Sequence, residues 1–238
     1  MSDNTTIFIS LINDFTNRMA EKYQRSSKST FGDVVLYLKN RDPVIKRYYD
    51  EFLSIKELRN YLVHEAPQKE ILAAVPSDEI IERFRFLYDK ALHPETLSEI
   101  MTSEVISFSL DSPLSKVLEV ISRDRISQYP VFDSQKFAGL LSDSGIVYWL
   151  AAHQKEEQID LREVSLREAF DSEEHKEYYR ILPPDTSVWL AWELYENLLK
   201  KGQKSLVILV ADKAKINTRQ DLVGIVTYRD LLPAVSKT

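Results

Sequence analysis

One junction near the C-terminus combines residue types that could bind a nucleoside phosphate. An apolar run ends at Val226 and is followed by Thr227 and Asp230, three positions apart. A strand that passes into a helix here offers unpaired N–H groups and the positive end of the helix dipole, which suit a phosphate. An ionised Asp230 only accepts hydrogen bonds, as ribose hydroxyls require. Arg229 or Lys204 could neutralise phosphate charge, and the apolar strand ends could enclose a base.

The same spacing also has a purely structural interpretation. A Thr followed three residues later by an acid is a capping box, which only stabilises the start of a helix. The segment Gly139–Ser142 resembles Gly224–Thr227. The two segments lie at the same place in two copies of a repeated α/β unit. Because the junction recurs in two copies, we favour the ligand site over the cap.

A second candidate site lies in the N-terminal half, at Arg59, Asn60 and His64. On a helix Asn60 and His64 share a face, whereas Arg59 is offset around the axis and must reach. His64 would lie near a helix C-terminus, where the dipole favours protonation, as acid chemistry or a phosphate contact requires. The alternative is a histidine that only closes the helix by bonding a carbonyl.

The elements that must position these residues fall into two parts. Apolar spacing in residues 1–93 predicts four helices with short connections, a small bundle. The third of these would run from Pro43 to Val63 and the fourth would begin at the N-cap Ser77.

Beyond the bundle the order of elements is β-α-β-β-α, twice. Copy one covers 97–154, with strands at 105–108, 129–132 and 137–141. Copy two covers 179–238, with strands at 179–182, 205–210 and 222–226, and the charged segment 155–178 links the copies. The fold class is therefore α+β, with a helical bundle followed by two β-α-β-β-α repeats.

Composition narrows the function classes. The chain has 238 residues, a net charge of −6 and no cysteine, which excludes disulfides, thiolate zinc sites and cysteine nucleophiles. No apolar run is long enough for a membrane span and the N-terminus lacks a signal-peptide pattern, so we expect a cytoplasmic protein. The histidines lack metal-ligand spacing, and there is no Gly-rich phosphate loop or Ser nucleophile elbow, so we expect no metal and no resident cofactor. Basic residues cluster locally, as a solvated surface or as a basic face, at Arg18, Lys22, Arg25, Lys28, Lys39, Arg41, Lys46 and Arg47.

The two copies resemble CBS domains, paired as in a Bateman module. The resemblance covers about residues 97–236 and is carried by Tyr129–Asp133, Gly139–Ser142 and Gly224–Asp230. The resemblance implies that the two copies form a pair related by a pseudo-two-fold axis. It also implies that the clefts between the copies take AMP, ATP, S-adenosylmethionine or related adenosyl compounds. It also implies that Thr227 contacts phosphate or ribose, Asp230 binds the ribose hydroxyls, and Ile181 and Leu182 line the base pocket.

The first copy departs from the family pattern. Ser142 matches the hydroxyl position, but Gly145 stands where the acid should be, and Asp143 comes two positions early. We therefore expect one competent cleft, organised by Asp230, and one degenerate cleft.

The helical half resembles the HEPN family over about residues 5–92, through Arg59, Asn60 and His64. In that family the Arg and His of two protomers meet at a dimer interface, and many members cleave RNA without metal. The resemblance implies that His64 acts as acid or base and that Arg59 steadies the phosphate.

Three hypotheses follow. The favoured one is a regulatory sensor, a homodimer whose CBS pair binds an adenine nucleotide or related ligand and controls the helical domain. The first alternative is a metal-independent ribonuclease, gated by the same pair and contacting RNA through the N-terminal domain. The second is a purely dimerising module. Trp189 and Trp192, which share a helix face, fit either core packing or a dimer surface.

Overall fold

A computed structural model describes residues 3–65, 75–154, 158–174, 176–202 and 206–236, without the side chains of Asp3, His64 and Glu65. The chain divides into two compact units, Met1–Glu95 and Thr96–Thr238. The predicted fold class is confirmed, since a helical region is followed by two small mixed sheets.

The first unit is helical throughout its described residues. Its elements are α1 (Asp3–Lys22), α2 (Phe31–Leu38), α3 (Pro43–Arg47), α4 (Tyr49–Asn60), a π turn (Tyr61–Glu65) and α5 (Asp78–Leu92). The single helix expected from Pro43 to Val63 is wrong, because Tyr48 has φ −103° and ψ 24° and divides it. Its N-terminus is as expected for a Pro start. Asp42 caps it by accepting from the amides of Val44 and Ile45, each at 2.9 Å.

An aromatic cluster forms the core of the helical unit. Phe84 is fully buried, and its ring lies 5.5 Å from that of Phe15 and 5.9 Å from that of Phe31, both measured between centroids. Phe8 and Phe52 complete the cluster at 6.3 and 6.5 Å. Edge-to-face ring pairs contribute stability beyond that of the buried apolar area, so this cluster helps to hold the unit together.

The second unit contains two three-stranded sheets of identical topology. Its elements are α6 (Leu97–Ile100), β1 (Phe108–Ser109), α7 (Leu114–Asp124), β2 (Gln128–Asp133), β3 (Lys136–Ser142), α8 (Asp143–Ala152), α9 (Leu166–Asp171), β4 (Tyr179–Leu182), α10 (Val188–Lys200), β5 (Val207–Val210), a 3-10 turn (Arg219–Asp221), β6 (Gly224–Val226) and α11 (Tyr228–Ser236). In each sheet the first strand is parallel and the third antiparallel to the middle one. The strand expected at 105–108 is wrong, since β1 begins only at Phe108.

Each repeat opens with a short helix that packs on the other repeat. Helix α6, which precedes the first repeat, lies against β6 and α11, and the backbones of Thr102 and Ile225 exchange two hydrogen bonds of 3.0 Å. Helix α9, which precedes the second repeat, joins the core of the first through Leu166, Ala169 and Phe170. These contacts link the two repeats and bring the opening segment of each one against the other.

Candidate functional site

Thr227 and Asp230 meet where β6 passes into α11. One carboxylate oxygen of Asp230, Oδ2, accepts from the Thr227 amide at 2.7 Å and from the Thr227 hydroxyl at 2.8 Å. This is the geometry of a capping box, so the structural interpretation of the spacing holds. The other oxygen, Oδ1, has no hydrogen-bond partner among the described residues.

A cavity of about 490 Å³ opens beside this junction. That volume lies within the range of small-molecule sites, roughly 300–1,000 Å³. Its walls come from both repeats: the opening segment of the first repeat, the end of α7 and the start of α11. The lining residues are Thr102, Glu104, Val105, Ile106, Asp124, Arg125, Ile126, Ser127, Gln128, Tyr195, Leu206, Ile225, Thr227, Tyr228, Arg229 and Asp230.

One wall of the cavity is aromatic. The rings of Tyr195 and Tyr228 are stacked with centroids 5.2 Å apart, and Trp192 stacks on Tyr195 at 5.8 Å. Burial, and then the neighbouring Tyr228, raise the pKa of the Tyr195 phenol. Tyr195 therefore stays neutral at physiological pH and offers a hydroxyl that can both donate and accept.

The cavity charges are mixed. Arg125 and Arg229 lie in the same lining as Asp230, with Glu104 and Asp124 as further acids. Two guanidinium groups can hold a phosphate while a carboxylate accepts hydrogen bonds from hydroxyls. These side chains therefore suit a ligand that carries both a phosphate and hydroxyl groups.

The structure does not bring every sequence-predicted residue to this cavity. Ile181 packs instead with Val207 and Leu209 in a hydrophobic cluster, and neither Ile181 nor Leu182 lines the cavity. The reason is that the opening segment of each repeat packs on the other repeat. This packing puts Thr102–Ile106 of the first repeat beside Asp230. Lys204 lies outside the described residues.

At the equivalent junction of the first repeat, Ser142 caps α8 by accepting from the Gly145 amide at 3.2 Å. The Ser142 amide and hydroxyl donate in turn to Oε2 of Glu173, at 2.8 and 2.6 Å. Sequence reasoning missed Glu173, because it lies far along the chain in the segment taken as a linker.

The motif in the helical unit lies across the end of α4 and the π turn. Nη1 of Arg59 donates to Oδ1 of Asn60 at 3.4 Å. The side chain of His64 lies outside the described residues, so the expected role of this triad stays a prediction. A π turn replaces the regular helix expected here.

Two further expectations concern metals and membranes. Among the described residues, no group of three or more His, Cys, Asp or Glu side chains is arranged to hold a metal ion. In the same part of the chain no helix is long and apolar enough to cross a bilayer.

Residues 97–152 match the family model of the CBS domain. The chain therefore contains a CBS domain, as the sequence motifs predicted. A second unit of the same topology follows it, so residues 96–238, the CBS module, have the fold expected of a tandem pair.

Solved CBS-domain structures resemble this module in fold. The CBS domain of a bacterial CNNM/CorC-family Mg²⁺ transporter in complex with ATP is 18% identical and covers 67% of this chain and 97% of its own, with a TM-score of 0.42. A CBS-domain-containing protein from Agrobacterium tumefaciens is 14% identical, with coverages of 59% and 92% and a TM-score of 0.43. A conserved CBS-domain protein from Thermoplasma acidophilum is 19% identical, with coverages of 60% and 71% and a TM-score of 0.43. None of the curated proteins compared with the sequence matches it.

Proposed function

We propose that the tandem module is a regulatory sensor that binds an adenine nucleotide or a related adenosyl ligand in the cavity beside Asp230. The observation that carries the proposal is the meeting of Oδ1 of Asp230, two arginines and an aromatic wall around one cavity of about 490 Å³. In this arrangement Asp230 accepts from the ribose hydroxyls, Arg229 and Arg125 face the phosphates, and the apolar part of the lining encloses the base.

Melting the purified protein with AMP, ATP and S-adenosylmethionine tests the proposal. A ligand that binds only the folded state adds about 2.7 kcal/mol at 100 times its dissociation constant, so a clear rise in melting temperature is expected with at least one of the three. Titration calorimetry then gives its affinity and stoichiometry. The absence of any shift with all three would contradict the proposal and favour the assembly hypothesis, which sedimentation of the homodimer would test.

We infer further that ligand binding controls the helical unit. Hydrogen exchange of residues 3–65 with and without the bound nucleotide tests this control. Unchanged exchange rates throughout these residues would restrict the ligand's effect to the CBS module or to another partner.

A second candidate function, RNA binding, is favoured by a basic surface interleaved with tyrosines. The guanidinium groups of Arg25 and Arg41 each lie 4.2 Å from the ring centroid of Tyr37, and Lys39 lies 4.2 Å from that of Tyr49. The two acids between residues 25 and 47 are both in helix caps. Asp33 pairs with Thr30, and Asp42 accepts from the amides that begin α3. The surface thus presents net positive charge and fixed guanidinium planes, which fit a single-stranded polyanion.

Replacing both Arg25 and Arg41 by alanine should weaken binding of single-stranded RNA uniformly across sequences. The slope of log affinity against log salt should fall by about 2, since each phosphate-contacting arginine contributes about 1. Fluorescence anisotropy with labelled RNA across a salt series measures this slope. Arg85→Ala is the control, because Arg85 is exposed and already paired with Glu82. Equal slopes for both variants would rule out this surface as the RNA site.

The ribonuclease alternative remains a proposal for the same unit, with Arg59, Asn60 and His64 in the roles implied by the HEPN resemblance. Incubation of the protein with mixed RNA in the presence of a chelator tests it. Cleavage that is lost in His64→Ala is the expected result for an enzyme. No cleavage, or cleavage unaffected by this substitution, would remove the alternative.

A further inference from the structure

The two helix-start junctions of the module carry the same hydrogen-bond arrangement, although only one of them has its own acid. Oδ2 of Asp230 accepts from the amide and hydroxyl of Thr227 at 2.7 and 2.8 Å. Oε2 of Glu173 accepts from the amide and hydroxyl of Ser142 at 2.8 and 2.6 Å. A carboxylate from a different element therefore takes the place that Gly145 leaves empty.

The fit between Gly145 and Glu173 is sterically exclusive. A Cβ atom at position 145 would lie 2.5 Å from Oε2 and 3.1 Å from Cδ of Glu173. Glu173 is only 4% exposed, so its carboxylate fills the space that an aspartate side chain would need. The missing acid and the inserted one are complementary, and the first repeat is not simply degenerate.

The segment that carries Glu173 is longer than its counterpart in the other repeat. Thr96 and Glu99 form a capping box that opens α6, and Ser165 and Glu168 form the same box at α9. In the first opening segment, Thr102 pairs with Ile225 and lies three positions after Glu99. In the second, the equivalent bond joins Lys176 to Leu140, the counterpart of Ile225. Lys176 lies eight positions after Glu168, so the second segment is longer.

The additional residues include Glu173. They run along the junction of the first repeat, where the amide of Glu173 donates to the carbonyl of Phe170 at 3.1 Å. The longer segment therefore has a structural consequence, since it brings a carboxylate to the start of α8.

We propose that Glu173 is a built-in ligand that occupies the first-repeat cleft, so that the chain holds a single exchangeable site, at Asp230. The carboxylate of Asp230 lies at an open cavity and keeps Oδ1 without a partner among the described residues, whereas the carboxylate of Glu173 is buried and fills the space beside Gly145. A nucleotide could reach the start of α8 only by displacing Glu173. The proposal rests on the proposed function for the ligand at Asp230, but the internal closure by Glu173 can be tested without any ligand.

The first test counts ligands. Titration calorimetry with AMP and ATP should give one site per wild-type chain and two per chain in the double variant Glu173→Ala/Gly145→Asp, whose new acid has room only once Glu173 is shortened. Two sites in the wild-type chain would overturn the proposal, and so would one site in a double variant that keeps the wild-type circular dichroism spectrum.

The second test needs no ligand and decides the matter if the double variant does not fold or if the wild-type chain binds neither nucleotide. Amide exchange at Ser142 and within residues 165–174 should accelerate about tenfold in Glu173→Ala, because hydrogen bonds to a charged acceptor are lost. Glu174→Ala is the matched control, since Glu174 is the exposed neighbour. Equal exchange in the two variants would show that Glu173 does not close the junction. Faster exchange in Glu173→Ala alone, in a chain that binds no nucleotide, would sustain the closure while removing the proposed function.

Discussion

Asp230→Ala is expected to weaken binding of the adenosyl ligand by at least roughly 100-fold. Two hydrogen bonds from ribose hydroxyls to an ionised carboxylate contribute about 1.5 kcal/mol each or more, and every 1.4 kcal/mol is tenfold in affinity. Asp230→Asn keeps one oxygen for the Thr227 cap but puts an NH2 group in place of Oδ1, so its affinity should fall by a similar factor while the cap is retained. Titration calorimetry on the ligand found by melting measures both losses.

Folding and binding must be separated, because Asp230 also caps α11 through Thr227. Losing this cap in Asp230→Ala should cost about 1 kcal/mol of the free energy of unfolding, measured without ligand. The matched control is Glu168→Ala, which removes an exposed capping-box acid from the start of α9 and does not line the cavity. If Asp230→Ala binds the ligand as well as Glu168→Ala does, Oδ1 of Asp230 does not contact it.

The sequence predicts those parts of the module that depend on local patterns. Strand β4 occupies Tyr179–Leu182 as expected, because tyrosine and isoleucine favour strands and the two prolines that follow end the run. The junctions at Thr227 and Ser142 lie at helix starts as predicted, since a Ser or Thr that follows an apolar strand is a local N-cap signal.

Contacts between distant segments are harder to predict from sequence. The CBS resemblance implies that Ile181 and Leu182 line the base pocket, whereas the cavity beside Asp230 is lined by Thr102 and residues 104–106 of the first repeat. A signal existed in the sequence, since the capping boxes at Thr96 and Ser165 mark equivalent starts. Their recognition would have shown that the apparent linker begins the second repeat.

Glu173 could not be found from spacing alone. It lies 31 residues from Ser142, and no local rule links an acid in one segment to a hydroxyl in another. The division of the third helix at Tyr48 is similar in kind, because the apolar stripe continues through Tyr48 and Tyr49 while the backbone does not. A periodic pattern fixes which face is buried, but not where packing against neighbouring helices breaks the helix.

Phe84→Ala should produce the largest change in stability, about 3–5 kcal/mol, the usual cost of truncating a fully buried phenylalanine. Four aromatic neighbours of Phe84 lose their ring partner, and the truncation leaves a cavity among them. The loss is a large share of the stability of a domain of this size. Thermal or urea unfolding followed by circular dichroism near 222 nm, which is dominated by helices, would show a transition at much milder conditions.

Tryptophan fluorescence should separate the two units in the same experiment. All three tryptophans, Trp149, Trp189 and Trp192, lie in the CBS module and none lies in the helical unit. In Phe84→Ala the circular dichroism transition should therefore shift while the fluorescence transition stays where it is in the wild-type chain. Leu36→Ala, at a side chain 65% exposed on α2, is the control and should change the free energy of unfolding by less than about 0.5 kcal/mol. A fluorescence transition that moved together with the helical one would mean that the two units unfold as a single cooperative body. In that case the core around Phe84 would support the ligand cavity as well, and any control of the helical unit by a nucleotide would act through their shared stability.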